Sequence, residues 1–341
     1  MNEDQGPDDH FDRLSDELVT LIFNKVLDAK SLCRCSVVSK RFASLIPQTD
    51  NVSLIVPSSN NSKPKRGTFF IVFLKYLVGK FITKPLQFLY QTVVPKLSVN
   101  SDEDETYQFT TEVLRNFINI KRLSIQLPCH GDELGSKGTD YFLRWKAEFG
   151  RELESCVVLG ATSFHRSSST PSSHKKHKQL HEPMSATDEL KTRVVWMISS
   201  LIAASTRHWL LKQIIADIPM NPQSVMISDS SKQGRLIMGE EQFKELRRSM
   251  NPTAPVERTM VPAVRVKLWH VPVLELPASG RVMNGATLIV IRPAERTMKM
   301  ESEDEGLGDC FEGEEEEEDL REAVREMLKE KKPYKIEMDS L

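Results

Sequence analysis

The chain has 341 residues, 28% of them charged, and a formal net charge of −2. That length holds one large or two modest domains, and the near-balance of charge gives no general signal for nucleic acid or acidic substrates. Its five cysteines, Cys33, Cys35, Cys129, Cys156 and Cys310, are scattered without a CxxC pair, which argues against a disulfide framework or zinc site and for a reducing compartment.

Residues 1–10 are predicted to be disordered. The opening MNEDQGPDDHFD is acidic and polar, the opposite of a secretory or transit peptide, so the expectation is a cytoplasmic or nuclear protein. Residues 11–56 form the first folded unit. A helix is expected from Ser15, a residue suited to an N-cap, with Asp16 and Glu17 in the first turn. Leu14, Leu18, Leu21, Ile22 and Val26 follow at helical spacing, and Val19, Phe23 and Leu27 add a second apolar stripe. After a break at Asp28, Leu32, Val37, Val38, Phe42 and Leu45 suit one or two shorter helices, and Val52 to Val56 reads as a strand or extended exit. A unit this short rarely buries so much apolar surface alone. The surplus predicts a docking face for another protein.

Residues 57–67, PSSNNSKPKRG, read as a linker. Residues 68–97 hold a long apolar run, TFFIVFLKYLVGKFITKPLQFLYQTVV, interrupted by Lys75, Lys80, Lys84 and Pro85. Each central lysine costs about 2.5–3.5 kcal/mol on membrane-insertion scales, so a spanning helix is rejected. An amphipathic helix bent at Pro85 is expected, packed on the core, with peripheral membrane contact as the alternative. Ser98 to Thr106 reads as an acidic loop.

From residue 107 to 341 the pattern is helix followed by short strand, an α/β region. Expected elements are a helix from Val113 and a strand Arg122 to Leu127, then a helix from Phe142 and a strand Cys156 to Gly160. A long helix Leu190 to Ile218 and a strand from Ser224 follow, then a short helix from Glu241. Strands start at Val264, Pro272 and Ala286, and an amphipathic helix and a final strand close the chain. The stretch NFINIKRLSIQLP also has the rise and fall of a degenerate leucine-rich repeat, although no strict period recurs. Residues 163–187, rich in Ser, His and Lys, and residues 301–319, ESEDEGLGDCFEGEEEEED, are expected to be disordered inserts. If the last strand returns to the sheet, the acidic block is a loop. The fold class is α+β: an N-terminal three-helix unit, then an α/β domain with irregular, leucine-rich-repeat-like helix–strand units.

No catalytic constellation emerges. His174, His177 and His181 lie in a lysine-rich insert with no acid or cysteine beside them, which reads as solvated linker instead of a metal site. Gly131 to Gly138 lacks the GK[ST] ending of a phosphate loop, and GxSxG, HExxH and GxGxxG are absent. Trp196, His208 and Trp209 on the long helix read as core. Lys191, Arg193, Arg207 and Lys212 are interspersed along it without forming a basic face, so no nucleic-acid contact is expected. No cofactor, metal or catalytic residue is expected either.

The segment Asp12 to Leu45 resembles an F-box. Leu14, Glu17, Leu18, Ile22, Val26, Leu32, Val38, Ser39, Lys40, Arg41, Phe42 and Leu45 match the family pattern in order and spacing. Ser15 stands where proline is usual and Phe42 where tryptophan is common. The rest of the chain is similar to plant F-box proteins without WD or kelch repeats, including the auxin-upregulated F-box group, through KPLQFL, LRWKAEFG, CVVLGA, RVVWMISSLIAASTRHWLLKQIIA, LWHVPVLELP and GATLIVIRP. The resemblance implies a non-catalytic, substrate-recognition subunit of a Skp–cullin–F-box ubiquitin ligase acting in hormone response. It would bind a Skp-type adaptor, through it a cullin, and a protein substrate of unknown identity. An F-box scaffold outside the ligase, membrane-peripheral through residues 69–94, is the alternative. The resemblance assigns adaptor binding to Leu14, Leu18, Ile22, Val26 and Leu32, with Val38 and Phe42 closing the three-helix unit.

Overall fold

The computed structural model describes residues 10–57, 101–128, 141–166, 186–251, 253–294, 306–308, 310–311, 317–330, 332–338 and 340. The expected linker after residue 57, the amphipathic segment 68–97, Gly131 to Gly138 and the three histidines of the Ser/His insert lie outside the described residues. The N-terminal unit comprises α1 (Asp16–Val26), α2 (Ala29–Ser36) and α3 (Lys40–Leu45), and leads into β1 (Asn51–Ile55). Then come α4 (Ser101–Leu114), β2 (Arg122–Leu127), β3 (Phe142–Phe149), β4 (Leu153–Ala161), β5 (Ser163–Arg166) and α5 (Ala186–Asp217). The chain continues through β6 (Ser224–Asp229), β7 (Gly234–Gly239), α6 (Glu240–Ser249), β8 (Val264–Leu276), β9 (Arg281–Pro293), α7 (Glu317–Glu330) and β10 (Tyr334–Met338).

All ten strands belong to one mixed sheet, ordered β1-β2-β6-β7-β3-β4-β9-β8-β10, with β5 pairing β9. The class is therefore α+β, with helices on a single sheet. β1, β2 and β6 are parallel neighbours, but the sheet order leaves chain order after β2, so the helix–strand units do not stack as leucine-rich repeats. β10 returns antiparallel to β8, which makes the acidic block a connection between β9 and α7.

Each sheet face has its own core. Leu54, Ile125, Ile227, Leu236, Phe149 and Ile289 point to one side, where they pack with α4, α5, α6 and the N-terminal helices in one contiguous cluster. Trp196, Leu201, Leu211 and Ile214 of α5 lie in that cluster, and so does His208, fully buried, stacked on Phe149 with ring centroids 4.5 Å apart. Trp209 is only half-buried, with Arg258 over its ring at 4.9 Å. α5 is long and apolar enough to cross a membrane by composition, and its apolar positions here serve the sheet. On the second side Val157, Leu159, Leu288, Val290, Trp269 and Val271 are covered by α7 and by Leu307 and Phe311.

Several expectations are corrected. Phe142 to Phe149 is a strand and not a helix: Leu143, Trp145, Ala147 and Phe149 are buried in strict alternation. Trp145 and Phe149, four apart, satisfy a period of 2 as well as one of 3.6. The acidic stretch from residue 101 is the start of α4 and not a loop. Ser163–Arg166, placed in the disordered insert, pairs with β9. Within the acidic block Leu307, Cys310 and Phe311 are buried, and Asp319 pairs with Arg281 at 3.0 Å. β8 runs unbroken through Pro272, because pairing passes from Val271–Ala286 to Val273–Asn284 and steps over Pro272 and Gly285. Gly285 has a φ of +60° there, a conformation that favours glycine. β7 was not anticipated; its near-continuous burial hides the alternation that marks a half-buried strand.

Candidate protein-docking site

α1 divides its apolar residues between two sides. Val19 and Phe23 are buried in the cluster that also holds Val52 and Leu54 of β1, so the chain's own sheet covers one stripe. The other stripe, Leu18, Leu21, Ile22 and Val26, stays exposed, with Leu18 at 49% and Ile22 at 40% of full exposure. Val37 and Val38, at the end of α2, are 85% and 71% exposed. Single exposed aliphatics are ordinary, but a stripe along one helix is the mark of an interaction surface.

Local chemistry holds this stripe in place. Ser15 takes the N-cap position in extended geometry, yet its hydroxyl makes no capping bond to the backbone. It bonds the Glu17 carboxylate instead and is the main cause holding that carboxyl below its ordinary range. Arg41 of α3 substitutes for a local cap. Its guanidinium donates to Asp16 Oδ1 at 2.8 Å, to the Phe11 carbonyl at 2.8 Å and to the Leu14 carbonyl at 2.5 Å. Phe42, also on α3, stands edge-on to Phe11 and Phe23 at 5.5 and 5.2 Å. This edge-to-face geometry is the favoured aromatic arrangement.

The far end of α1 is bound to the sheet. Asn24 Oδ1 accepts from the backbone amides of Asp50 and Asn51 at 2.8 and 3.3 Å. Leu27 has a φ of +60° and ψ of −43°, with the Asp28 amide donating to the Val26 carbonyl at 2.7 Å. This is a γ-turn of the strained hand. It aims the Leu27 carbonyl at the Ser53 amide, 2.7 Å away on β1. Asp28 then caps α2, accepting from the Ser31 amide and hydroxyl at 2.9 and 2.6 Å. Burial pushes the Asp28 carboxyl up, but the Ser31 bonds and Lys30 outweigh it and leave it below its usual range. The helical unit and the sheet are thus joined by hydrogen bonds as well as by a common core.

The seven residues singled out in the sequence fall into three groups. Leu18, Ile22 and Val26 are exposed together on α1. Leu14 and Phe42 are half-buried against the core. Leu32 is fully buried and Val38 is exposed, so two assignments are corrected. Leu32 faces inward because α2 packs that side on β1 and α4. Val38 does not close the unit; Phe42 does, with Phe11 and Phe23. Val37, Leu21 and Leu27 are exposed apolar positions that the assignment omitted.

Nothing among the described residues groups three or more metal-ligating side chains. Burial pushes the thiols of Cys156 and Cys310 up to about 12, which keeps them protonated and unreactive. His208 is lowered to about 3, by burial first and by Lys212 second, and its ring nitrogens engage Thr259 Oγ1 and the Gly150 carbonyl at 2.8 and 3.1 Å. It is a neutral structural side chain.

Residues 11–51 match the F-box domain. The chain is similar to three proteins of Arabidopsis thaliana. F-box protein At5g46170 is 37% identical, over 97% of this chain and 94% of its own. F-box protein AUF2 is 35% identical over 90% and 94%, and F-box protein AUF1 33% identical over 84% and 86%. No solved structure matches the chain.

Proposed function

Because the chain belongs to the F-box protein family, we propose that it is the substrate-receptor subunit of a Skp–cullin–F-box ubiquitin ligase and binds a Skp-type adaptor through the exposed stripe of α1. The observation that carries this reading is the division of α1: Val19 and Phe23 are buried by the chain itself, while Leu18, Leu21, Ile22 and Val26 are left uncovered. A groove on the adaptor that accepts these aliphatics, with Val37 and Val38 beside them, removes the remaining apolar surface from water. Relatives with auxin-upregulated names support a plant hormone context.

In this role the chain performs no bond chemistry. It holds a protein substrate near the activated ubiquitin thioester on the conjugating enzyme, and the rate gain comes from proximity and orientation. The bonds from Asn24 and Leu27 to β1 suit that role, because they fix the helical unit against the sheet that would carry the substrate.

Copurification with a Skp-type adaptor tests the proposal. Wild-type chain retains the adaptor, and a Leu18→Asp, Ile22→Asp double variant with unchanged circular dichroism loses it. Failure of the folded wild-type chain to bind any Skp-type adaptor would overturn the reading.

A further inference from the structure

One face of the sheet is covered unevenly. Parallel strands are normally covered on both sides, yet β1, β2 and β6 are parallel and the helices that pack on them belong to the core cluster on one side only. On the opposite side α7 lies against β8 and β9. Among the described residues no helix reaches across this face to β6, β2 and β1.

The uncovered part has a definite chemical layout, because the pairing registers place its side chains in rows. Ser124, Met226 and Ile237 are successive partners across β2, β6 and β7, and Gln126, Ser228 and Arg235 form the next row. All but the buried Arg235 are half-buried. The centre is thus Met226 beside Ile237, with hydroxyl and amide groups around it. Cations stand at opposite borders. Arg122 is exposed, and its Nε donates to the carboxamide of Asn51 at 2.7 Å, a neutral partner. At the other border Arg235 lies beside Lys146 of β3. On this face of the five strands β1, β2, β6, β7 and β3 the one carboxylate is Glu148, matched by Lys146 at 2.8 Å. The turn holding Cys310 ends at this border, since Lys146 and Arg235 both act on its thiol. The chain's own cover therefore stops where the polar face begins.

We infer that this face is the substrate-docking surface, and that it takes an extended segment of the substrate protein in which an apolar anchor is flanked by aspartates or glutamates. The anchor sits on Met226 and Ile237, and the acids face Arg122 on one side and the Lys146–Arg235 border on the other. Size favours a segment over a second copy of the chain. Four strands about 4.8 Å apart and five or six residues long present roughly 300–400 Å², against about 800 Å² per partner in a stable protein interface. An apolar centre with a polar rim is the usual anatomy of such a contact, and methionine adapts to varied anchors. The inference rests on the reading of the chain as a substrate receptor.

The test uses the full chain bound to a Skp-type adaptor. The probes are fluorescein-labelled peptide pools of about nine residues, some 30 Å when extended. Each has a central Leu, Met or Phe and flanks of Asp/Glu, Asn/Gln or Lys/Arg. The acidic pool should bind about fivefold or more tightly than the Asn/Gln pool and weaken with salt. Arg122→Glu should abolish that preference, and Ser124→Trp should block binding of the acidic pool, while both variants keep the wild-type melting temperature and the adaptor. Equal binding of all pools, or binding indifferent to both variants, overturns the inference. So does a dimer that Arg122→Glu dissociates, which would make a second copy the occupant. Acidic-pool binding that appears only when Glu314, Glu315 and Glu316 are changed to Gln would make the chain's own acidic run the occupant and overturn it too. Absence of adaptor binding refutes the ligase reading alone, and the same titrations on the free chain still decide the docking face.

Discussion

Replacing Leu18 and Ile22 by alanine should weaken adaptor binding without unfolding the chain, whereas replacing Leu32 should do the reverse. Complete burial of a large aliphatic side chain is worth about 1.5–3 kcal/mol. Leu18 and Ile22 are 49% and 40% exposed, so covering the remainder yields about 0.7–1.5 and 0.6–1.2 kcal/mol. Together that is roughly 1.3–2.7 kcal/mol, and since about 1.4 kcal/mol is a factor of ten, the double alanine variant should bind about ten- to a hundredfold more weakly. Its melting temperature should barely move, because neither side chain is in the core. Leu32 has 0% exposure, and an alanine there should cost about 2–5 kcal/mol of stability, with adaptor affinity intact in the fraction that stays folded. Isothermal titration with purified adaptor, paired with thermal melts, reads both quantities. A large melting-temperature loss for the double variant with unchanged affinity would refute the division of α1 into a core stripe and a docking stripe.

The γ-turn gives a second expectation. Leu27→Gly relieves the positive φ and should leave chain stability unchanged or raise it by about 0.5–1 kcal/mol in urea unfolding; a loss above that range would show that the Leu27 side chain matters more than its backbone. Asp229 receives Arg207 at 2.5 Å in a pair exposed by only 8% and 5%, so Asp229→Ala should cost about 3–5 kcal/mol, read as a fall in urea midpoint. Gly234→Ala should destabilise strongly, since an added Cβ would lie 1.8 Å from the Trp145 indole; a wild-type melting temperature would contradict that packing. Acid should weaken the fold through His208, which stays neutral down to about 3 in the folded chain but protonates near 6.5 when unfolded. Its stabilising contribution is complete above about 6.5 and is lost progressively as pH falls towards 3; urea midpoints at pH 7.5 and 5 should differ, and by less in His208→Gln.

Strong, unambiguous periodicity made α1 and α5 legible in the sequence. It did not resolve Phe142 to Phe149, where aromatics four apart fit both a helix face and a strand face, and it missed β7, whose residues are buried almost throughout. At the docking site the sequence identified which residues are aliphatic but not which of them the sheet would cover. Leu18 and Leu32 look alike in one dimension. They differ only because β1 and α4, which complete the core around α2, are supplied by later parts of the chain. The acidic block was read by its charge, and Leu307 and Phe311 within it are core residues of the second face. Ser15 was read correctly as the start of α1 but by the wrong bond, since Arg41, 25 residues beyond Asp16, does the tethering.

Hydrogen exchange of the full chain with and without a purified Skp-type adaptor tests most directly whether the exposed stripe of α1 is the docking surface. Slowed exchange should centre on Asp16–Val26 and the Val37–Val38 end of α2, with β2, β6 and β10 unchanged. An adaptor complex that protects the sheet and leaves α1 exchanging as in the free chain would contradict it.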